Sequence, residues 1–248
     1  MEEHKLGKIR LVSAPPAEIF DLARGGICHV VTVNSEIFVL AHENPRYLEV
    51  LDAAVNTIDG RVIQWLVRAL GDGQRPLKLS GSDLIYDLCD YARTHHHKLF
   101  LLGASESSNR GACERLRTLY PGLELEGYSP PIVSTIDVAA WNEDVLRRIA
   151  EYAPSYLAVC LGSPKAELWI ADHLKKLEAR GVRFVIGVGG AADFVAGVTR
   201  RAPKSVQWLG LEWLFRLAVA PRQRFRRTLR MFRMPYYALK DLAPLRRR

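Results

Sequence analysis

The sequence predicts an α/β protein: a mostly parallel sheet flanked by helices, followed by a helical, basic C-terminal appendage. Three observations predict it. Apolar runs without polar alternation, such as Cys28–Val33 and Tyr156–Leu161, suit strands buried on both faces, as parallel sheets require. Between them lie segments with helical spacing, for example Val62, Trp65, Leu66 and Ala69. Charge is segregated: Arg216 to Arg248 holds eleven basic residues against one acid, Asp241, giving +10 and leaving −2 for residues 1–215 of a total of +8.

With 48% hydrophobic and 25% charged residues among 248, the chain has the composition of a globular protein with a full core. Cys28, Cys89, Cys113 and Cys160 are far apart without paired metal-ligand spacing, so they read as buried, reduced thiols. No apolar run reaches the roughly 18 residues that span a bilayer. The start, MEEHKLGKIR, lacks the apolar centre of a secretion signal, and a cytoplasmic location is expected. A near-neutral body with a basic end expects an anionic surface as partner, either the inner membrane leaflet or nucleic acid. No recognition helix or RNA-binding motif accompanies the arginines, which favours the membrane over nucleic acid.

In order, a short strand is expected around Ile9–Val12 and a helix from Pro16 to Arg24, started after Ser13. Cys28–Val33 is a central strand that stops at Asn34-Ser35-Glu36. One helical segment runs from Ile37 to Ala54. A strand through Val55 and Ile58 stops at Asp59-Gly60, where the glycine lets the chain turn sharply. Arg61–Leu70 is a helix ended by Gly71-Asp72-Gly73. Ser82 or Asp83 caps a helix running to about His95. The strand Lys98–Gly103 opens into a loop through Ser108, an arrangement that cradles phosphates or forms a tight structural turn. A helix follows to Tyr120. Residues 121–142 read as a loop, and Asn142–Tyr152 as a helix. The strand Tyr156–Leu161 ends at Gly162-Ser163-Pro164-Lys165. Helix 168–180 precedes the strand Arg183–Val188, which opens into Gly189-Gly190-Ala191-Ala192-Asp193, where backbone N–H groups can approach a ligand.

The body is bounded at residue 203 and the appendage covers 204–248. Trp208–Ala218 is strongly apolar. Beyond Pro221, Phe225, Leu229, Phe232 and Tyr236 form a helical stripe flanked by Arg222, Arg226, Arg230 and Arg233 on one side and by Arg224 and Arg227 on the other. That is the pattern of an interfacial helix, with Pro235 disturbing its end. In open α/β sheets, ligands bind outside the carboxyl ends of the strands, which puts the chemistry at Asp59.

Several stretches occur together in one order: Thr32-Val33-Asn34-Ser35-Glu36, Ile58-Asp59-Gly60, Ser80-Gly81-Ser82-Asp83-Leu84, Leu161-Gly162-Ser163-Pro164-Lys165-Ala166-Glu167, Gly187-Val188-Gly189-Gly190 with Asp193-Phe194 and Arg201-Ala202-Pro203, and Gly210-Leu211-Glu212-Trp213-Leu214-Phe215-Arg216-Leu217. From about Cys28 to Leu229 the chain resembles the WecG/TagA/CpsF glycosyltransferases, glycosyltransferase family 26.

The resemblance implies a Rossmann-like body of GT-E type. It also implies inverting transfer of a sugar from a UDP-sugar to a polyprenyl-diphosphate-linked glycan. The sugar would be N-acetylmannosamine, its uronic acid, glucuronic acid or a similar one. No cofactor or metal is implied. The appendage would dock peripherally on the inner leaflet of the plasma membrane, and self-association is compatible with this picture. By match to the family motif Asp59 is the catalytic base. Thr32 and Asn34 match pocket-lining positions. Lys78 stands where an arginine is usual. Ser82, Gly103, Lys165 and Gly189 fall in the matched loops, and Asp193 is a candidate for holding the nucleotide. Arg216, Arg222, Arg224 and Arg226 are candidates for the diphosphates. Val33, Ala166 and Gln223 depart from the usual proline, glutamine and arginine.

Each position also has an ordinary reading. An aspartate before glycine forms turns, Asp193 caps a helix, and Lys165 is a solvated turn lysine. His95-His96-His97 fits a polar turn better than a metal tract. Two other functions stay open at this point: a basic nucleotide- or nucleic-acid-binding module, and a degenerate scaffold of an exopolysaccharide complex.

Overall fold

The computed structural model describes residues 1–70, 76–130, 139–200, 202–219, 225 and 228–242. Its eight strands form one sheet in the order β1-β2-β4-β3-β8-β7-β5-β6. They are β1 (Glu2–Leu6), β2 (Ile9–Ser13), β3 (Cys28–Val33), β4 (Val55–Ile58), β5 (Leu99–Gly103), β6 (Leu125–Tyr128), β7 (Tyr156–Cys160) and β8 (Phe184–Gly187). The β1–β2 hairpin is antiparallel, while β2–β4, β3–β8, β5–β6, β5–β7 and β7–β8 are parallel. The expected α/β class and mostly parallel sheet are therefore present. The chain divides into two compact units, and β3 gives its first four residues to one and its last two to the other.

The first unit comprises residues 1–14, 32–80 and 201–248. Its hairpin was not expected at β1, where Glu2-Glu3-His4-Lys5 offers no apolar run. Gly7, at φ +58°, makes the turn. The single helix expected from Ile37 to Ala54 is two helices, α2 (Ser35–Glu43) and α3 (Pro45–Ala53). Asn44 caps α3 by accepting from Tyr47 N at 3.2 Å, and Pro45 occupies the first turn, where its missing N–H costs nothing. A proline there cannot continue α2. The next helix begins at Pro16, as expected, with no side-chain cap, and the Ser13 Oγ accepts from Leu77 N at 2.7 Å. Helix α4 (Arg61–Leu70) begins directly after the β4 turn. The turn expected at Gly71-Asp72-Gly73 lies outside the described residues.

Later in this unit come α10 (Lys204–Trp208), α11 (Glu212–Val219) and a last helix, Met234–Leu242. The stripe expected to be one helix is interrupted: Phe232 and Arg233 form a turn, and Pro235 sits in the first turn of the last helix. Phe225, Leu229, Phe232 and Tyr236 are each more than half exposed. The last helix is pinned to α2. His42 Nε2 meets Asp241 Oδ2 at 3.0 Å, the His42 and Tyr237 rings stack at 4.8 Å, and Arg233 Nη1 donates to Glu43 Oε1 at 2.8 Å. That bond holds the Arg233 guanidinium above its ordinary pKa. A side chain at Gly7 would run into the Asp241 carboxylate.

The second unit comprises residues 15–31 and 81–200. It contains α1 (Pro16–Phe20), α5 (Gly81–Thr94), α6 (Glu106–Leu119), α7 (Ala139–Tyr152), α8 (Lys165–Glu178) and α9 (Ala191–Val195). Every residue of β5, β7 and β8 is buried, as a strand covered on both faces must be. One core face packs Phe100, Leu102, Ile149, Leu157, Val159 and Trp169. Strand β6 lies inside the stretch read as loop. It is short, and Glu126 is exposed, which hid it. Buried Asn109 ties together the ends of β5 and β6: its Nδ2 donates to Leu101 O, Gly103 O and Tyr128 O. All four cysteines are buried free thiols, and burial pushes Cys28 and Cys113 up to about 11. The His95 and His97 rings pack against Tyr91 at 4.2 and 6.3 Å, so the histidine run is aromatic packing beside a turn.

Candidate functional site

Backbone pairing builds the candidate site in the first unit. Asp59 follows β4, and its N–H donates to Val33 O at the end of β3, 2.8 Å away. The two strands therefore finish side by side, with Asn34 and Asp59 as the next residues. Gly60, at φ +86°, turns the chain into α4. Leu79 N donates to Ile58 O at 2.7 Å, which lays the segment carrying Lys78 along the other edge of β4. Gln64 and Ser13 fix that segment further, through Pro76 O at 2.6 Å and Leu77 N at 2.7 Å.

The result is an open cleft of about 150 Å³. Asn34, Asp59 and Lys78, three of the residues singled out in the sequence, line it together. Ser35, Glu36, Gly60, Arg61, Val62, Gly210, Glu212, Trp213, Thr228 and Met231 complete the lining. Asn34 also caps α2, accepting from Glu36 N and Ile37 N at 3.0 and 3.1 Å, so its backbone and side chain are both fixed. Thr32 is buried within β3. A side chain at Gly210 would touch the Trp65 ring and Arg61 Cβ at 3.3 and 3.4 Å, so the glycine admits the 209–211 segment against α4.

Sequence reasoning did not single out Arg61 as a cleft residue. An arginine in the first turn of an amphipathic helix looks like part of a solvated face. Trp213, Thr228 and Met231 come from more than 150 positions beyond Asp59, and only chain folding joins them to it. Glu36 carries a weak ion pair to Arg230 at 3.9 Å, and Arg230 also approaches Glu43 at 3.7 Å. Two of the arginines expected to flank an interfacial stripe, Arg230 and Arg233, are thus engaged by α2 carboxylates. The Arg216 side chain and Arg222, Arg224 and Arg226 lie outside the described residues, as does Gln223.

The second unit holds the remaining candidates at strand ends. Gly103, at φ +95°, ends β5. Lys165 opens α8 after β7, with its side chain exposed. Gly189, at φ +55°, follows β8, and Asp193 lies in α9. Ser82 is buried in the first turn of α5. Because β8, β7 and β5 are parallel neighbours, Gly103, Lys165 and Gly189 share one edge of this unit's sheet. Ala166, the departure from glutamine, is 1% exposed and packs in the core with Trp169 and Ile170.

Among the described residues no helix is long and apolar enough to cross a membrane. The chain matches the model of the glycosyl transferase WecG/TagA/CpsF family over residues 9–248. The N-acetylglucosaminyldiphosphoundecaprenol N-acetyl-beta-D-mannosaminyltransferase of Staphylococcus aureus strain MRSA252 is 32% identical over 196 residues, covering 77% of this chain and 71% of that protein. The protein of the same name from strain NCTC 8325 / PS 47 matches over the same extent, and that from strain MW2 over 193 residues, 75% and 70% of the two chains. The chain belongs to the WecG/TagA/CpsF glycosyltransferase family and is a hexosyltransferase.

Proposed function

We propose that this family member transfers N-acetylmannosamine, with inversion, from its UDP derivative to N-acetylglucosaminyl-diphosphoundecaprenol. The relatives' names support both the sugar and the acceptor. The observation that carries the reading is the cleft in which Asp59, Asn34 and Lys78 converge at the paired ends of β3 and β4.

In this mechanism the acceptor hydroxyl oxygen attacks the anomeric carbon as Asp59 takes its proton. The bond from that carbon to the diphosphate oxygen breaks, and its electron pair leaves with UDP. Lys78 neutralises the departing charge in place of a metal ion.

Residues 204–248 act as the appendage on the 1–203 body, holding the enzyme peripherally on the cytoplasmic face of the membrane. The exposed Trp208, Phe225, Leu229, Phe232 and Tyr236, together with the +10 charge of residues 216–248, support this role. The test is turnover of UDP-N-acetylmannosamine by the full chain on anionic vesicles carrying the lipid acceptor, with excess EDTA present. Transfer giving a β-linked product is expected. Absence of transfer, or loss of transfer on chelation that Mg²⁺ restores, would contradict the proposal.

A further inference from the structure

The cleft holds three carboxylates, Glu36, Asp59 and Glu212, against two described cations, Arg61 and Lys78. A diphosphate entering such a cleft meets like charge unless both cations face it. No described residue engages the Lys78 ammonium. Arg61 Nη1 donates to Gln64 Oε1 at 3.0 Å, and its remaining guanidinium N–H groups are taken by no described residue. Gln64 is 6% exposed, and its Nε2 donates to Pro76 O at 2.6 Å. That bond locks the amide, so its oxygen is presented to Arg61. Pro76 is two residues before Lys78, so one buried amide ties both cations to the same wall.

Lysine and arginine do different work on a diphosphate. Lysine offers a compact point charge; arginine offers a planar fork that holds two oxygens at once. A cleft with Lys78 alone lacks the fork. We infer that Arg61 is a diphosphate-binding residue of this site, acting with Lys78, and that Gln64 is the positioning residue that aims it. This deepens the proposed transferase reading and rests on it for the identity of the diphosphate, which belongs to either the UDP-sugar or the lipid-linked acceptor.

The test compares the full-length wild type with Arg61→Met, Arg61→Lys, Gln64→Met and the Arg61→Met/Gln64→Met double variant. UDP affinity is measured by calorimetry, and the KM of the lipid-linked acceptor is measured on vesicles. Losing a charge-assisted, bidentate contact should weaken the diphosphate by about 10- to 100-fold in Arg61→Met, with the thermal midpoint unchanged. Arg61→Lys should recover part of the loss. Gln64→Met should weaken binding less than Arg61→Met and should cost less in the Arg61→Met background than alone, because only the part of its effect that runs through the Lys78 segment remains there. A loss confined to UDP assigns the donor diphosphate, and a loss confined to acceptor KM assigns the lipid's; either supports the inference. UDP affinity and acceptor KM both within two-fold of wild type in Arg61→Met would overturn it. Wild-type protein that binds UDP but transfers no sugar would sink the transferase reading while leaving Arg61 to be judged by binding alone.

Discussion

In the unit made of residues 1–14, 32–80 and 201–248, β3 and β4 run into Asn34 and Asp59, whose polar side chains line the cleft. In the other unit, β5 ends at Gly103, β7 is followed by Gly162, and β8 by Gly189, all at positive φ. Both sets sit at carboxyl ends of parallel strands, where α/β sheets bind ligands. They are finished for different tasks. A carboxylate beside a lysine can move a proton and meet charge. A glycine at positive φ presents bare backbone, whose N–H groups suit phosphate or sugar oxygens. Changes at the first set should therefore act on rate, and changes at the second on stability.

The largest expected effect is at the first set. Asp59→Asn keeps the shape and removes the base, so the transfer rate should fall about 10²–10⁴-fold while UDP affinity stays near wild type. Steady-state transfer and calorimetry together read this split. A change in UDP binding with an unchanged rate would contradict the role of base given to Asp59.

The next effect is at the second set. Gly103→Ala would place a methyl group 2.9 Å from Leu161 Cδ2 and 3.0 Å from the Cys160 carbonyl carbon, in a left-handed conformation. Strain and overpacking together should cost about 2–4 kcal/mol in urea unfolding. A loss below about 0.5 kcal/mol would show that this turn tolerates a side chain and is not specialised for bare backbone.

A smaller effect separates the second region by pH. His29, on β3, is fully buried, its Nε2 has no hydrogen-bond partner among the described residues, and burial lowers its pKa from 6.5 to about 4. The unfolded chain binds this proton at higher pH than the folded one, so stability is complete above about pH 6.5 and is lost as pH falls toward 4. Between pH 7 and pH 5 the loss from this group should be about 2 kcal/mol. His29→Leu should remove that share from the difference between urea unfolding at the two pH values. An unchanged difference would mean that the folded protein takes up this proton as readily as the unfolded chain does.

Much of this contrast was legible in the sequence. Cys28–Val33 has the bounds read from its apolar run, because a strand buried on both faces leaves a continuous signal. Asp59 before Gly60 marked the turn that opens the cleft. Strands β1 and β6 were missed for the opposite reason. Each lies at an end of the sheet order, and β1 is mostly polar while β6 has only four residues. The break between α2 and α3 was visible in Asn44-Pro45 but was overridden by apolar spacing on both sides. Arg61 and Gln64 show what local pattern cannot give. Their role depends on Pro76, twelve residues past Gln64, and hydrogen bonding across a fold is not periodic. Trp213 and Thr228 reach the cleft by tertiary folding alone.

The central claim is that Asp59 acts as the base at the joined ends of β3 and β4. Its most direct test is the single-turnover transfer rate of Asp59→Ala, with saturating UDP-sugar and lipid acceptor, as formate is titrated in. The account predicts a fall of at least about 10²-fold, partly and saturably restored by formate standing in for the missing carboxylate. A rate for Asp59→Ala within a few-fold of wild type, unmoved by formate, would contradict it.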